Sequence, residues 1–352
     1  MAEGEVSLTV IKGMIVDSAE SKKVYSIHGE RVVVSGTGSA IVDPLWNFLR
    51  SFESSLVDES PALRIRFFSV PSPQAIPIPI PSLAERIESH NTQTFGEDLI
   101  GAWQCDVYAS EGILTVDLHA KGRLQINYGE GTGRGYLVNP ESFHPDIRVS
   151  YFHFVLSELL KRQGLYTIHA TALEKGGRGV LIPGYSGRGK TTACISLLRS
   201  GYRCLSDDHP FLKTTNGMLE VLAFPEKVDV TENSLQFFPE LRDESHGKLY
   251  QGLIKRYFHV EDFFPGGTAK ACDPRLLIFP HVVNRATSHV ELVSKREALE
   301  EILPHGLLVY DKAIARKEFQ ALSHLIQKVK AYRLFFGRDV LDLHRVIDPL
   351  LS

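Results

Sequence analysis

Apolar and polar positions change rhythm partway along the chain. In the first third, short apolar segments alternate with turn residues. Val32–Val34, Leu63–Val70, Ile113–Leu118 and Leu124–Tyr128 each read as a strand. Five prolines fall between Pro71 and Pro81, densest in Ile76-Pro77-Ile78-Pro79-Ile80-Pro81. Each removes a backbone donor and fixes φ, so the stretch reads as an extended connector whose alternating isoleucines suit burial. A proline-rich ligand for an SH3-type module is the weaker alternative. The run Gly129-Glu130-Gly131-Thr132-Gly133-Arg134-Gly135 predicts a mobile hairpin or loop, with a substrate-facing flap as the alternative. Its spacing is not GxGxxG, and no strand-to-helix context follows.

From Ser150 the period lengthens. Tyr151, Phe154, Val155, Leu159 and Leu160 recur at helical spacing, and Gly164 stands where a helix C′ residue belongs. A strand over Tyr166–Glu174, a Lys175-Gly176-Gly177-Arg178 turn and a second strand over Gly179–Ile182 follow. Late in the chain, Lys317–Lys330 places Phe319, Leu322, Leu325, Ile326 and Val329 on one helical face and reads as a docking helix. A length of 352 residues, at roughly 150 per domain, suits two domains. The change of rhythm predicts a mostly β (α+β) domain over 1–145, a candidate for substrate recognition, and an α/β domain over 146–352.

Composition narrows the class. Lys+Arg number 39 against 42 Asp+Glu, a net charge of −3, which gives no global electrostatic case for nucleic acid or an anionic membrane as partner. Hydrophobic content of 43% and charged content of 23% suit a globular chain and not a disordered one. Cys105, Cys194, Cys204 and Cys272 show no CxxC spacing, which argues against a disulfide framework or a cysteine zinc site and for a reducing compartment. No apolar run approaches the ~18 residues of a membrane span. The start, Met1-Ala2-Glu3-Gly4-Glu5 with Lys12 in the first apolar stretch, lacks the layout of a secretory signal. The expectation is a cytoplasmic protein.

The chemistry concentrates in residues 179–208. Gly184-Tyr185-Ser186-Gly187-Arg188-Gly189-Lys190-Thr191 matches GxxxxGK[ST], with an apolar strand before it and a helical run after it. Glycines at 184, 187 and 189 permit backbone conformations that let successive N–H groups converge on phosphate oxygens. A helix beginning near Lys190 adds its positive dipole end. Lys190 supplies a point charge for the β/γ-phosphates, and the Thr191 hydroxyl suits Mg²⁺. The helix ends at Ser200-Gly201, a short strand covers Arg203–Ser206, and Asp207-Asp208 follow, 17 positions after Lys190 at Asp207. One helix and a return turn fill that gap, so the acidic pair is expected at a strand end beside the phosphates. One carboxylate of such a pair can hold Mg²⁺ while the other accepts a proton from an attacking hydroxyl. A solvated turn before His209-Pro210 is the bland alternative. A GTPase is disfavoured: the one DxxG, Asp98–Gly101, precedes the loop, and no NKxD-like motif is present. None of the fourteen histidines forms HExxH.

These residues resemble the HPr serine kinase/phosphorylase family, which shares its nucleotide fold with phosphoenolpyruvate carboxykinases. The resemblance is carried by Leu165-Tyr166-Thr167-Ile168-His169-Ala170, by Gly179–Thr192 and by Gly201-Tyr202-Arg203-Cys204-Leu205-Ser206-Asp207-Asp208. It covers about 150–215 and extends weakly to a core strand at Asp273–Phe279. It implies a P-loop kinase fold in the second domain, with ATP and Mg²⁺ as cofactors. Residues Gly184 to Thr191, with Thr192 beside them, would bind the triphosphate, and Thr191 and Asp208 the metal. Asp207 would be the proton acceptor, with His169 and Lys190 at the reacting phosphate. The resemblance also allows a homo-oligomer. Two departures mark a divergent relative: Thr192 stands where the bifunctional enzymes carry Glu, and no Glu-Ile-Arg-Gly-x-Gly follows residue 210. Both count against a phosphorylase activity and against HPr as acceptor.

The expected activity is therefore an ATP-dependent phosphotransferase acting on a hydroxyl, with Ser or Thr of a peptide or protein favoured. A small-molecule kinase of the shikimate or nucleoside type and a non-catalytic ATP-sensing scaffold stand as alternatives. Arg256, Arg275 and Arg285 are candidates for a positive group at the transferring phosphate.

Overall fold

Alternating burial defines the first sheet: in Leu63–Val70, Leu63, Ile65 and Phe67 are buried while Arg64 and Arg66 face solvent. The computed structural model describes residues 20–54, 62–90, 104–185, 187–242, 246–250, 253–307 and 309–351. The chain divides into two units, residues 1–163 and 164–352.

The described residues of the first unit form an eight-stranded sheet in the order β1-β2-β3-β8-β7-β6-β5-β4. Its strands are β1 (Glu20–Ile27), β2 (Glu30–Thr37), β3 (Leu63–Val70), β4 (Arg86–His90), β5 (Cys105–Ser110), β6 (Ile113–Asp117), β7 (Gly122–Asn127) and β8 (Thr132–Val138). β3 runs parallel to both β2 and β8; the other pairings are antiparallel. Helix Pro145–Lys161 packs on β3, β7 and β8, so the boundary falls after this helix and not near 145. A second expectation changes with it. β7 and β8 do form a hairpin at the glycine run, but Gly133 and Gly135 lie within β8 and not in a loop: a Cβ at Gly133 would lie 2.2 Å from Val155 Cγ1, and one at Gly135 would lie 2.4 Å from the Phe67 ring. Bare backbone at these positions is what lets the helix and Phe67 approach. The proline connector buries Ile76 and Ile78 against Val70, Tyr136 and Val138, while Ile80 stays 53% exposed.

The second unit is mixed α/β. Its strands are β9 (Tyr166–Thr167), β10 (Ala170–Lys175), β11 (Arg178–Pro183), β12 (Arg203–Ser206), β13 (Phe211–Thr215), β14 (Met218–Leu222), β15 (Val228–Thr231), β16 (His246–Tyr250), β17 (Leu253–Phe258), β18 (Ala271–Val282), β19 (His289–Leu292) and β20 (Lys330–Phe336). β18 is the spine. It pairs in parallel with β11 on one side and β20 on the other, and its first residues pair with β14. The sheet is buried on both faces, which explains the unbroken apolar run Leu276–Phe279. Val180, Ile182, Leu276 and Ile278 face helix Lys190–Arg199, and Leu181, Leu277 and Phe279 share a core with Leu322, Leu325 and Ile326 of helix Lys312–Lys328. That helix is capped by Asp311, whose carboxylate accepts from the Ala313 and Ile314 N–H groups. Phe319, expected on its buried face, is 40% exposed. β15, β17 and β16 form a separate small sheet.

The strand expected over Tyr166–Glu174 is broken. β9 pairs with β13, whereas β10 pairs with β11 and β12. At the break the Ile168 N–H donates to Pro210 O (3.1 Å) and the His169 N–H to His305 O (2.6 Å). No helix among the described residues is long and apolar enough to cross a membrane.

Candidate active site

β11 carries the buried apolar run to Pro183, and the chain then turns through Gly184, Tyr185, Gly187, Arg188 and Gly189 into helix Lys190–Arg199. Ser186 and the DxxG at 98–101 lie outside the described residues. Gly187 (φ 79°) and Gly189 (φ 96°) occupy left-handed backbone that side chains resist. A Cβ at Gly189 would also sit 3.2 Å from Phe336 and 3.3 Å from Val282. No side chain caps this helix, so the N–H groups of its first turn remain directed at the loop.

Four elements meet at that turn. Lys190 is buried, and its Nζ donates to Gly184 O (2.6 Å), lies 3.0 Å from His169 Nε2 and 3.7 Å from Asp208 Oδ1. His169 Nε2 is 3.3 Å from the same Asp208 oxygen. Thr191 Oγ1 donates to Asp207 Oδ2 (3.2 Å). The Thr171 hydroxyl is shared between Asp207 O (2.8 Å) and Oδ1 (3.0 Å). The structure thus gathers Gly184, Lys190, Thr191, His169, Asp207 and Asp208 around one corner. Thr192 is not among them: its Oγ1 lies 2.8 Å from Ser234 Oγ, beside helix Glu232–Leu235. Tyr185 is 44% exposed, with its ring 4.6 Å from that of His305.

The two carboxylates occupy opposite environments. Asp207 is 4% exposed, and burial, followed by the charge of Asp208, pushes its pKa up to about 8. Asp208 is half-exposed. Desolvation pushes it up, but Lys190 and His169 together outweigh that and hold it well below the usual carboxylate range. Burial, then the nearby charges of His169 and Lys190, lowers His305 to about 4.

Sequence reasoning passed over four contributors. Glu226 Oε1 accepts from the backbone N–H groups of Asp208 (3.0 Å) and His209 (3.2 Å) and from Ser206 Oγ (2.8 Å), while its Oε2 lies 3.0 Å from His209 Nδ1. It lies in the non-periodic link from β14 to β15, where no motif marks it. His209 directly follows the acidic pair, where the sequence gives it no role of its own. His305 serves through its carbonyl at the strand break. Only Thr171 carried a legible signal, as a lone polar residue in Ala170-Thr171-Ala172-Leu173, and it is fully buried. Of the candidate arginines, Arg256 bonds Glu232 and the Arg242 carbonyl, and Arg275 pairs with Asp273 in the first half of β18. Arg285 alone follows the end of β18 that borders the loop.

No described group of three or more His, Cys, Asp or Glu side chains could hold a metal ion by itself. The oxygens of Asp207 and Thr191 form a smaller, hard-donor set. This fits Mg²⁺, which takes one or two carboxylates and fills its remaining positions with water and substrate phosphate.

No family model and no curated protein matches the chain. Among solved structures, the HPr(Ser) kinase/phosphatase from Coxiella burnetii is a weak structural neighbour. It is 14% identical over 52% of this chain and 88% of that one, with a TM-score of 0.27. A likeness at that level assigns neither a fold family nor an activity.

Proposed function

We propose that the second unit is an ATP-dependent phosphotransferase acting on a hydroxyl acceptor. The observation that carries this reading is the convergence of Lys190, His169 and Asp208 within 3.7 Å at the mouth of a glycine turn that opens a helix. Backbone N–H groups and a buried cation at that mouth suit a polyphosphate. Phosphoryl transfer asks mainly for positioning and electrostatic stabilisation, and few side chains suffice.

The surroundings favour an exchange of the two acidic roles expected from sequence. Asp207, buried between the hydroxyls of Thr171 and Thr191, suits the metal side. Mg²⁺ bound there would neutralise phosphate charge. Asp208, half-exposed and kept ionised by Lys190, would take the proton of an incoming hydroxyl, with His169 holding its orientation. Asp208→Asn should retain nucleotide binding and lose transfer of label from γ-labelled ATP to peptides, small hydroxyl compounds or fractionated lysate. Normal transfer by that variant would refute the assignment. Failure of the wild type to label any fraction would refute the activity.

A further inference from the structure

Three neighbouring parallel strands of the second sheet each lead into a turn containing an arginine: Arg188 after β11, Arg285 after β18 and Arg338 after β20. All three side chains are exposed, and none forms an ion pair among the described residues. The acid nearest to Arg338 in sequence is already engaged, since Asp339 accepts from the Ser288 N–H (2.8 and 2.9 Å) and the Ser288 hydroxyl (2.6 Å). An uncompensated row of guanidinium groups therefore lines the carboxyl edge of the sheet, where open α/β sheets receive ligands.

The orientation of a ligand there follows from strand order. In the row β12-β10-β11-β18-β20, Asp207, Asp208 and His169 lie on the β10/β12 side of the glycine turn. A reacting phosphate held on that side sends the remainder of its molecule toward β18 and β20. Val282, at the end of β18, stands beside Gly189 and is 65% exposed, an apolar surface next to the turn. Arg338 is fixed to the turn that follows Val282: its Nη2 donates to Asn284 Oδ1 (2.5 Å) and its backbone N–H to Arg285 O (2.9 Å). A planar cation hydrogen-bonded to a turn that starts from an exposed apolar residue suits a flat heterocycle, through stacking and cation–π attraction.

We propose that the turns after β18 and β20 form the nucleoside subsite, in which the base lies over Val282 and the Arg338 guanidinium and Arg285 meets the phosphate next to the sugar. This rests on the nucleotide reading above and deepens it. The test is calorimetric titration of the full chain with Mg-ATP and with Mg-tripolyphosphate, which lacks the nucleoside. Arg338→Ala should weaken ATP about tenfold and leave tripolyphosphate within about twofold. Arg338→Lys, which keeps the charge but loses the plane, should follow Arg338→Ala. Unchanged ATP affinity, or equal weakening of both ligands, overturns the subsite. Lys190→Ala provides the separate arm. If it weakens both ligands, the phosphate reading survives even where Arg338 proves silent; if it weakens neither, the phosphate reading and the subsite fall together.

Discussion

Replacing Asp207 by Asn should stabilise the metal-free protein, and by more as pH rises. In the unfolded chain this carboxyl titrates near ~3.9, whereas burial in the folded state lifts it to about 8. The folded form therefore binds the proton more tightly than the unfolded form. Below ~4 both states are protonated and the site contributes nothing. As pH rises toward the folded value the unfolded state ionises first and stability drains away, reaching its full penalty only above about 8. About four powers of ten in proton affinity correspond to about 5 kcal/mol at most. Water admitted by an opening loop recovers part of it, so a gain of about 2–4 kcal/mol, roughly 5–10 °C in melting temperature, is expected at alkaline pH. The asparagine can still accept from Thr171 and donate to Thr191 Oγ1, which keeps the corner satisfied.

The assay is thermal unfolding of wild type and variant in chelator, from about pH 5 to about pH 8.5. The difference should be small at the acid end and grow steadily. Adding Mg²⁺ at the alkaline end should raise the wild type and leave the variant unmoved. A difference that stays constant across the range refutes the buried-carboxylate argument, and an equal response to Mg²⁺ refutes the metal side assigned to Asp207. Asp208→Asn offers the opposite sign: a carboxylate held below its usual range by Lys190 and His169 helps stability at neutral pH and loses that help as pH falls.

Lys190→Ala should weaken Mg-ATP binding by roughly 30–100-fold in calorimetry, because a charge-assisted contact to phosphate is worth about 2–3 kcal/mol; an unchanged affinity would remove the loop from the site. Gly135→Ala should destabilise the first unit by about 1–3 kcal/mol through overpacking on Phe67, seen in thermal melts, with nucleotide affinity unaltered. Tyr202→Phe removes the bond from its hydroxyl to Asp348 Oδ1 (2.6 Å) and should cost about 1 kcal/mol in denaturant unfolding; no loss would show that solvent replaces the bond.

The parts legible in the sequence are those where one residue type alone meets a local demand. Left-handed backbone at 187 and 189 calls for glycine, and the adjacent lysine and hydroxyl complete a pattern that the fold keeps together. Strand β3 was readable to its ends because buried and exposed residues alternate without exception through Phe67. What escaped depends on partners distant in sequence. Nothing in Tyr166–Glu174 announces that Ile168 and His169 give their N–H groups to Pro210 and His305 and so leave one set of pairings for another. Gly133 and Gly135 resemble loop residues until Val155 and Phe67 are seen pressing on them. Glu226 acquires its place only because the link from β14 to β15 passes the acidic pair.

The acidic pair shows how a two-residue step converts composition into chemistry. Asp207 and Asp208 follow β12 in a bend, and their carboxyls enter different surroundings even though they are neighbours in the chain. One side holds two threonine hydroxyls and excludes water, which drives that carboxyl toward neutrality. The other side holds Lys190 and His169 and admits solvent, which favours the anion at all times. The carboxylate on the Lys190 side has a positive partner and solvent, whereas the one between Thr171 and Thr191 is bonded to hydroxyls and kept from water. The two acids read alike in the sequence, and only their partners separate them: threonine hydroxyls for Asp207, Lys190 and His169 for Asp208.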